Sequence, residues 1–323
     1  MTENSAEIVV AGGGSFGTAV AQQASMSGQK ITLFCRDPET RDAINNEHRN
    51  IRYFPNTRLS DNLTATCDPG AMTGASQLFV AIPSGSIRST FEALAGDLQE
   101  LEHIVLLSKG LCDVHDTFDA FFSELLPHTS ISSLKGPTFA RQLLLGVSSG
   151  MTLGTSDEGA ITEISSLFEK SCVQLDYHAS ARDVEHVSAL KNIYAIALGA
   201  LNAIDDSENL TFLGTTKILQ EMRLVLRSLE CDEGILWKHC GAGDLLMTSL
   251  SNQSRNRTLG YFLGKDFDLR LDDNPIVLEG VKSLRYFSNE AAGSTFPIID
   301  ITTKLVSKEI SANEFFDRFV SYA

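Results

Sequence analysis

The spacing of apolar positions changes near residue 180. Ahead of it, short apolar runs at residues 7–11, 30–34, 77–82 and 103–107 predict buried strands, with another near 131–134 and two more at 151–154 and 173–177. Helical periodicity fills residues 18–27, 86–98 and 117–126 between them. Strands alternating with helices predict an α/β fold whose N-terminal part is a Rossmann-like, doubly wound, mostly parallel sheet. Beyond residue 180 the strand signal fades and helical spacing takes over, at 213–229, 232–238, 278–292, 297–306 and 312–319. The expectation is an all-α C-terminal domain over residues 181–323 after an N-terminal domain over residues 1–180. No linker-like stretch separates them. One long helix opens near Ala181, with Ser180 as its N-cap and Asp183 three residues on.

From Ile193 onward that helix is apolar on every face, Asn202 apart, which marks a helix enclosed by protein. Its apolar run falls short of the roughly 20 residues that a membrane span needs. Lys191 and Asn192 nevertheless stand at the mouth of the run. Such a lysine either snorkels to solvent or is held inside by a partner, because fully buried lysines are rare unless paired.

The first strand runs straight into Gly12-Gly-Gly-Ser-Phe-Gly17, and a helix and a second strand complete a unit of about 30 residues. This is the arrangement that cradles a dinucleotide. Gly12 permits the tight turn, Gly14 lets a pyrophosphate approach the backbone, and Gly17 lets the helix lie close on the strand. The phosphates belong at the helix N-terminus, where unpaired N–H groups and the dipole favour anions. At the end of the second strand, Cys35-Arg36-Asp37 offers both an acid that suits the ribose of NAD and an arginine that suits the extra phosphate of NADP. Arg36 comes first, which favours NADPH, with NADH the alternative. Ligands in such sheets bind beyond the carboxyl ends of the strands, so the loops Ile82-Pro83-Ser84, Ser108-Lys109-Gly110 and Lys135-Gly136-Pro137-Thr138 are expected at the site.

In the helical half, Cys240-Gly-Ala-Gly-Asp-Leu-Leu-Met-Thr248 sets Thr248 one helical turn after Asp244, on the same side. Arg255 and Asn256 follow in Ser254-Arg-Asn-Arg257, a pair suited to a multi-acceptor anion such as phosphate or carboxylate.

The 323 residues are 43% hydrophobic, enough to bury a sizeable core. A net charge of −15 and a pI near 4.9 argue against unaided binding to nucleic acid or an anionic membrane. The six cysteines are scattered, with no CxxC pair and no histidine at ligand spacing, so neither a disulfide framework nor a metal site is expected. Reduced thiols in a cytoplasm are the default, and no signal segment is apparent.

The short motifs named so far, together with Asn50-Ile-Arg-Tyr-Phe-Pro55, Gly136-Pro-Thr-Phe-Ala140, Ala189-Leu-Lys-Asn192 and Glu279-Gly-Val281, keep an order in which the chain resembles the bacterial-type NAD(P)-dependent glycerol-3-phosphate dehydrogenases from about Ile8 to Phe319. The resemblance implies exchange of hydride between a nicotinamide and dihydroxyacetone phosphate or sn-glycerol 3-phosphate. It implies Lys191 as the acid–base residue and Lys109 as a group touching substrate and cofactor. Gly136, Thr138, Asp244, Ser254, Arg255 and Asn256 then line the substrate pocket, with Asn192 and Thr248 beside them. Ser15, Phe16, Arg36, Pro83, Lys109, Ala140, Arg255, Val277 and Glu279 join the glycine turn at the cofactor. A cytoplasmic homodimer supplying glycerophospholipid synthesis is also implied. Departures from the family pattern are Gln142 for a glutamate, Thr138 for a serine, Val187-Ser188 for a glycine pair and Lys217 for an arginine.

Ketone reduction puts negative charge on oxygen, which a positioned acid must stabilise and protonate. Lysine in water, with a pKa of about 10.4, releases a proton slowly at neutral pH, and burial lowers that value. The expectation is that Asp244 opposes this shift while Lys109 and Arg255 deepen it. Two other functions fit the same residues less fully: a related two-domain reductase of a hydroxy acid, with Arg255 on a carboxylate, and a non-catalytic nucleotide-sensing protein.

Overall fold

Eight strands form one sheet: β1 (Ile8–Ala11), β2 (Ile31–Phe34), β3 (Leu63–Thr66), β4 (Gln77–Val80), β5 (His103–Leu106), β6 (Ser130–Lys135), β7 (Ser149–Gly154) and β8 (Val173–His178). The structure is a computed structural model and describes residues 7–98, 101–112, 116–267, 279–290 and 296–322. Strand order is β3-β2-β1-β4-β5-β6-β7-β8, so the direction of winding reverses between β1 and β4. Every neighbouring pair is parallel except β6 with β7.

β1, β4 and β5 are buried at every position, as central parallel strands covered on both faces must be. Alternate residues serve opposite faces. Ile8 and Val10 join Ala19, Val20 and Ala24 of the helix Ser15–Ser25 in one apolar cluster. Val9 and Ala11 join Ile87, Phe91, Phe118 and Phe122 from the helices Ser84–Leu94 and Phe118–Leu125 in another. The sheet is thus covered by helices on both sides, the doubly wound arrangement.

Several features depart from the sequence expectations, among them the following. β3 is an additional strand. The helices Pro38–Glu47 and Glu158–Phe168 are also additional, each capped by the aspartate that precedes it. The first helix begins at Ser15, inside the glycine motif, and not at Thr18. The segment 232–238 closes only into a short 3-10 helix, Glu233–Trp237.

The chain divides into two compact units, Met1–Ser108 with Cys112–Val184, and Lys109–Leu111 with Glu185–Ala323. The second is built on the helix Ala181–Ile204, whose entry is fixed by the Ser180 hydroxyl accepting from the Asp183 amide at 3.1 Å. With 24 residues and a mean hydropathy of 1.4, this helix is long and apolar enough to cross a membrane, contrary to the length argument from sequence. Burial is what sets it apart from a span: 94% of its apolar window is covered by protein.

Around it pack the helices Glu208–Ser228, Asp244–Leu250, Arg255–Gly264, Glu279–Glu290, Pro297–Val306 and Ala312–Ser321. Two polar residues of Glu208–Ser228 fasten the later helices. Glu221, fully buried, accepts from the Ile298 and Ile299 amides at 2.7 and 3.0 Å and so caps Pro297–Val306 from outside that helix. It also accepts from the Tyr194 hydroxyl at 3.3 Å. Lys217 donates to the carbonyls of Phe319, Val320 and Tyr322, closing the end of Ala312–Ser321.

Candidate active site

The glycine turn follows β1 directly. Gly12 sits at φ +129°, and a Cβ there would lie 2.8 Å from the Ala81 carbonyl. A Cβ on Gly17 would lie 2.0 Å from the Gly12 oxygen, so only glycine lets the helix come this close to the turn. Around Gly14, by contrast, a Cβ would meet nothing within 4 Å. The helix Ser15–Ser25 has no side-chain cap and no acid in its first turn. Its leading N–H groups and dipole therefore face a place free of competing acceptors, which fits a pyrophosphate. Asn50 braces the turn, donating to the Gly13 carbonyl at 3.1 Å and to the Thr18 hydroxyl at 2.8 Å.

Arg36 is exposed just past β2, and Asp37 is committed elsewhere: its carboxylate accepts from the Glu39 and Thr40 amides and the Thr40 hydroxyl. Those hydrogen bonds, chiefly the Thr40 hydroxyl, hold its pKa below the usual value. Pro83 precedes the helix Ser84–Leu94 at the end of β4, and Ala140 opens the helix Ala140–Leu144. Gly136 and Thr138 are buried after β6, and the Thr138 amide donates to the Gly136 carbonyl at 2.8 Å. Lys135, only 1% exposed, donates to the Leu106 carbonyl at 2.7 Å. Gln142 is exposed.

In the second unit, Lys109, Lys191, Asp244 and Thr248 converge. Lys191 is 2% exposed, which rules out snorkelling. Its ammonium pairs with Asp244 and donates to the Thr248 hydroxyl at 3.2 Å. Lys109 reaches the same carboxylate at 3.1 Å from a side chain 24% exposed. Asp244 is wholly buried at the N-terminus of Asp244–Leu250, where the helix dipole favours an anion.

Burial and the second cation work together on Lys191. Burial is the larger cause, Asp244 opposes it and Lys109 adds to it, and the pKa falls to about 7. Burial would raise Asp244, but the two lysines hold it below the usual carboxylate value. Burial pulls Lys109 down, yet Asp244 and Glu279 more than offset this and its pKa stands above the usual lysine value. One anion thus keeps one firm cation. The other amine is left close to neutral, able to accept the hydrogen bond between the two lysines. The expected opposition of Asp244 and Lys109 over Lys191 is present; Arg255 is absent from it.

Asn256 donates to Asn192 at 3.0 Å, while Asn192 Nδ2 and Asn256 Oδ1 are buried and have no partner among the described residues. Ser254 spends its hydroxyl as the N-cap of Arg255–Gly264, accepting from the Arg257 amide at 3.2 Å. Arg255 is exposed, with no ion pair among the described residues. Glu279 opens its helix, its charge helping to raise the Lys109 pKa, and Val277 lies outside the described residues. Val187 and Ser188 are fully buried, the Ser188 hydroxyl without a hydrogen-bond partner among the described residues.

A dinucleotide-type turn on a doubly wound sheet, and a lysine of lowered pKa held by a buried carboxylate in a helical unit, define the class: a nicotinamide-linked oxidoreductase. Profiles described as NAD-dependent glycerol-3-phosphate dehydrogenase N-terminus and C-terminus match residues 7–161 and 181–317. The chain belongs to that family. It is 33% identical over 316 residues to a glycerol-3-phosphate dehydrogenase [NAD(P)+] of Methanothermobacter thermautotrophicus, covering 97% of each chain. It is 32% identical over 299 residues to that of Alcanivorax borkumensis, covering 90% of this chain and 86% of the other. In fold it is similar to glycerol-3-phosphate dehydrogenase from Coxiella burnetii, with a TM-score of 0.88 at 22% identity over 98% of this chain and 99% of that one.

Proposed function

We propose that the chain interconverts dihydroxyacetone phosphate and sn-glycerol 3-phosphate with NAD(P)H, using Lys191 as the acid–base residue. The observation that carries the assignment is Lys191 itself, buried on an apolar helix and drawn to about pH 7. When bound, the nicotinamide coenzyme supplies the hydride to the ketone carbon in reduction and accepts it in oxidation.

Protonated Lys191 gives its proton to the ketone oxygen as charge develops there, and in oxidation the neutral amine takes it back from the hydroxyl. Asp244 fixes the direction of Nζ, helped by the Thr248 hydroxyl. Lys109, the firm cation, stabilises the developing oxyanion. Arg255 and Asn256 grip the phosphate, which does not react, and so hold the carbon in place. Gly136, Thr138, Asn192 and Ser254 complete the substrate contacts. Gly12, Gly14, Ser15, Phe16, Gly17, Arg36, Pro83, Lys109, Ala140, Arg255, Val277 and Glu279 serve the coenzyme. Asp37 is occupied as a helix cap, which leaves Arg36 to meet a 2′-phosphate and favours NADPH over NADH. Residues 1–180 act as the dinucleotide-binding domain and residues 181–323 as the substrate domain, in a cytoplasmic homodimer that supplies glycerophospholipid synthesis.

The test is spectrophotometric. The protein is mixed with dihydroxyacetone phosphate and either NADPH or NADH, and loss of reduced coenzyme is followed. Oxidation of NADPH by the parent is expected, with a fall of roughly a thousandfold in Lys191→Ala and coenzyme affinity retained. Substantial turnover by that variant overturns the assignment.

A further inference from the structure

Cys35 and Cys67 end the β2–β3 ladder opposite one another. The pairing runs Ile31 with Leu63, Thr32 with Thr64, Leu33 with Ala65 and Phe34 with Thr66. The Cys35 amide continues it by donating to the Thr66 carbonyl at 2.9 Å. Residues opposed on neighbouring strands point to one face, and strands lie about 4.7–4.9 Å apart. That spacing falls within the Cα separation of about 4.4–6.8 Å that a disulfide spans. Both thiols are free and both pack on the same apolar cluster, and Cys67 is near enough to help raise the pKa of Cys35.

The pair lies under the coenzyme turn. A Cβ on Gly13 would stand 2.5 Å from the Cys35 Cβ, so that backbone rests on Cys35. The Cys35 thiol also donates to the Asp37 carbonyl at 3.6 Å, closing the turn that carries Arg36. A bridge to Cys67 removes that donor and redirects the sulfur.

We propose that Cys35 and Cys67 form a reversible disulfide on exposure to hydrogen peroxide, and that the bridge weakens coenzyme binding by displacing the Arg36 turn and the backbone of Gly13. Cys67, half-buried, is the sulfur a peroxide reaches; Cys35 is 4% exposed, and burial, with the neighbouring Cys67, pushes its pKa up to about 12. Attack of Cys67 sulfur breaks the O–O bond, forms a sulfenic acid and releases water. Attack of Cys35 sulfur then breaks the S–O bond, forms the S–S bond and releases a second water. Two thiols are oxidised and one peroxide is reduced.

The regulatory half rests on the coenzyme assignment; the bridge does not. Full-length protein is reduced, desalted, treated with hydrogen peroxide, and digested without reductant for mass spectrometry, and NADPH is titrated by calorimetry. A linked Cys35–Cys67 peptide and a roughly tenfold weaker Kd, restored by dithiothreitol, are expected. Cys67→Ser should bind NADPH like the reduced parent and lose both the linked peptide and the reversible response. Absence of the linked peptide overturns the proposal, and so does a linked peptide with unchanged Kd. A reduced parent that binds neither NADPH nor NADH while still giving the linked peptide overturns the regulatory half and the coenzyme assignment, leaving the bridge.

Discussion

Lys109 Nζ lies 3.1 Å from the carboxylate of Asp244, an anion it shares with the buried Lys191. Two cations on one buried anion cannot both hold their protons firmly, and the more buried of the two yields. Lys191, with a pKa of about 7, is protonated below that value and neutral above it. Reduction needs the protonated form, so its kcat/KM is expected to be level at low pH and to fall as pH rises through about 7. Oxidation needs the neutral form and should rise over the same interval. Asp244→Asn removes the anion that supports the lysine proton, moving both breakpoints to lower pH. Initial-rate profiles of the two enzymes decide this; a breakpoint that stays or moves up contradicts the arrangement.

Arg255 is exposed and carries no competing ion pair among the described residues, so its guanidinium is available to a phosphate. A charge-assisted hydrogen bond of this kind is worth about 1.5–3 kcal/mol. Arg255→Ala is expected to raise the KM for dihydroxyacetone phosphate by roughly ten- to a hundredfold, measured by steady-state kinetics. An unchanged KM removes the phosphate role.

Arg36 should separate the two coenzymes. Arg36→Ala is expected to weaken NADPH roughly tenfold while leaving NADH nearly unchanged, because only the former carries the 2′-phosphate. Equal losses for both coenzymes in binding titrations would place Arg36 on adenine or pyrophosphate instead.

Glu221 gives a stability prediction. Burial lifts its pKa to about 7 against the opposing bonds from Ile298, Ile299 and Tyr194. The folded protein therefore holds this proton more tightly than the unfolded chain does. Its contribution to stability is full below the unfolded glutamate value of 4.5 and is lost as pH rises through about 7. Urea denaturation should show that fall, about 3 kcal/mol at most, and Glu221→Gln should flatten it. Glu221→Ala strands two amides and a phenol, and should cost roughly 3–5 kcal/mol.

Much of this was legible in the chain because the signals were local. The strand, glycine turn, helix and second strand occupy one continuous stretch, and Ala181–Ile204 is apolar at every position but Asn202 from Ile193 onward. β3 escaped because Leu-Thr-Ala-Thr is four residues long and only half-buried, so its alternation is too short to stand out. Pro38–Glu47 is polar on most positions and owes its start to the Asp37 cap. The reversal of β7 is set by which strand it meets, a matter no local pattern records. In the site, Lys191 and Asp244 were legible through motif order, but their geometry was not. Lys135 and Asn50 stood in stretches expected at the site and Glu221 in none, but the hydrogen bonds of all three were unreadable, since each acquires its partner from a segment distant in sequence.

The covered helix Ala181–Ile204 bears on biosynthesis. At 1.5 Å per residue its 24 residues reach about 36 Å, beyond the roughly 30 Å of a bilayer core. While the nascent chain still lacks the helices that follow, this segment meets the length requirement of the insertion machinery. An ammonium near its midpoint adds about 2.5–3.5 kcal/mol against entering lipid. The lysine assigned to proton transfer thus also weighs against mistargeting during translation.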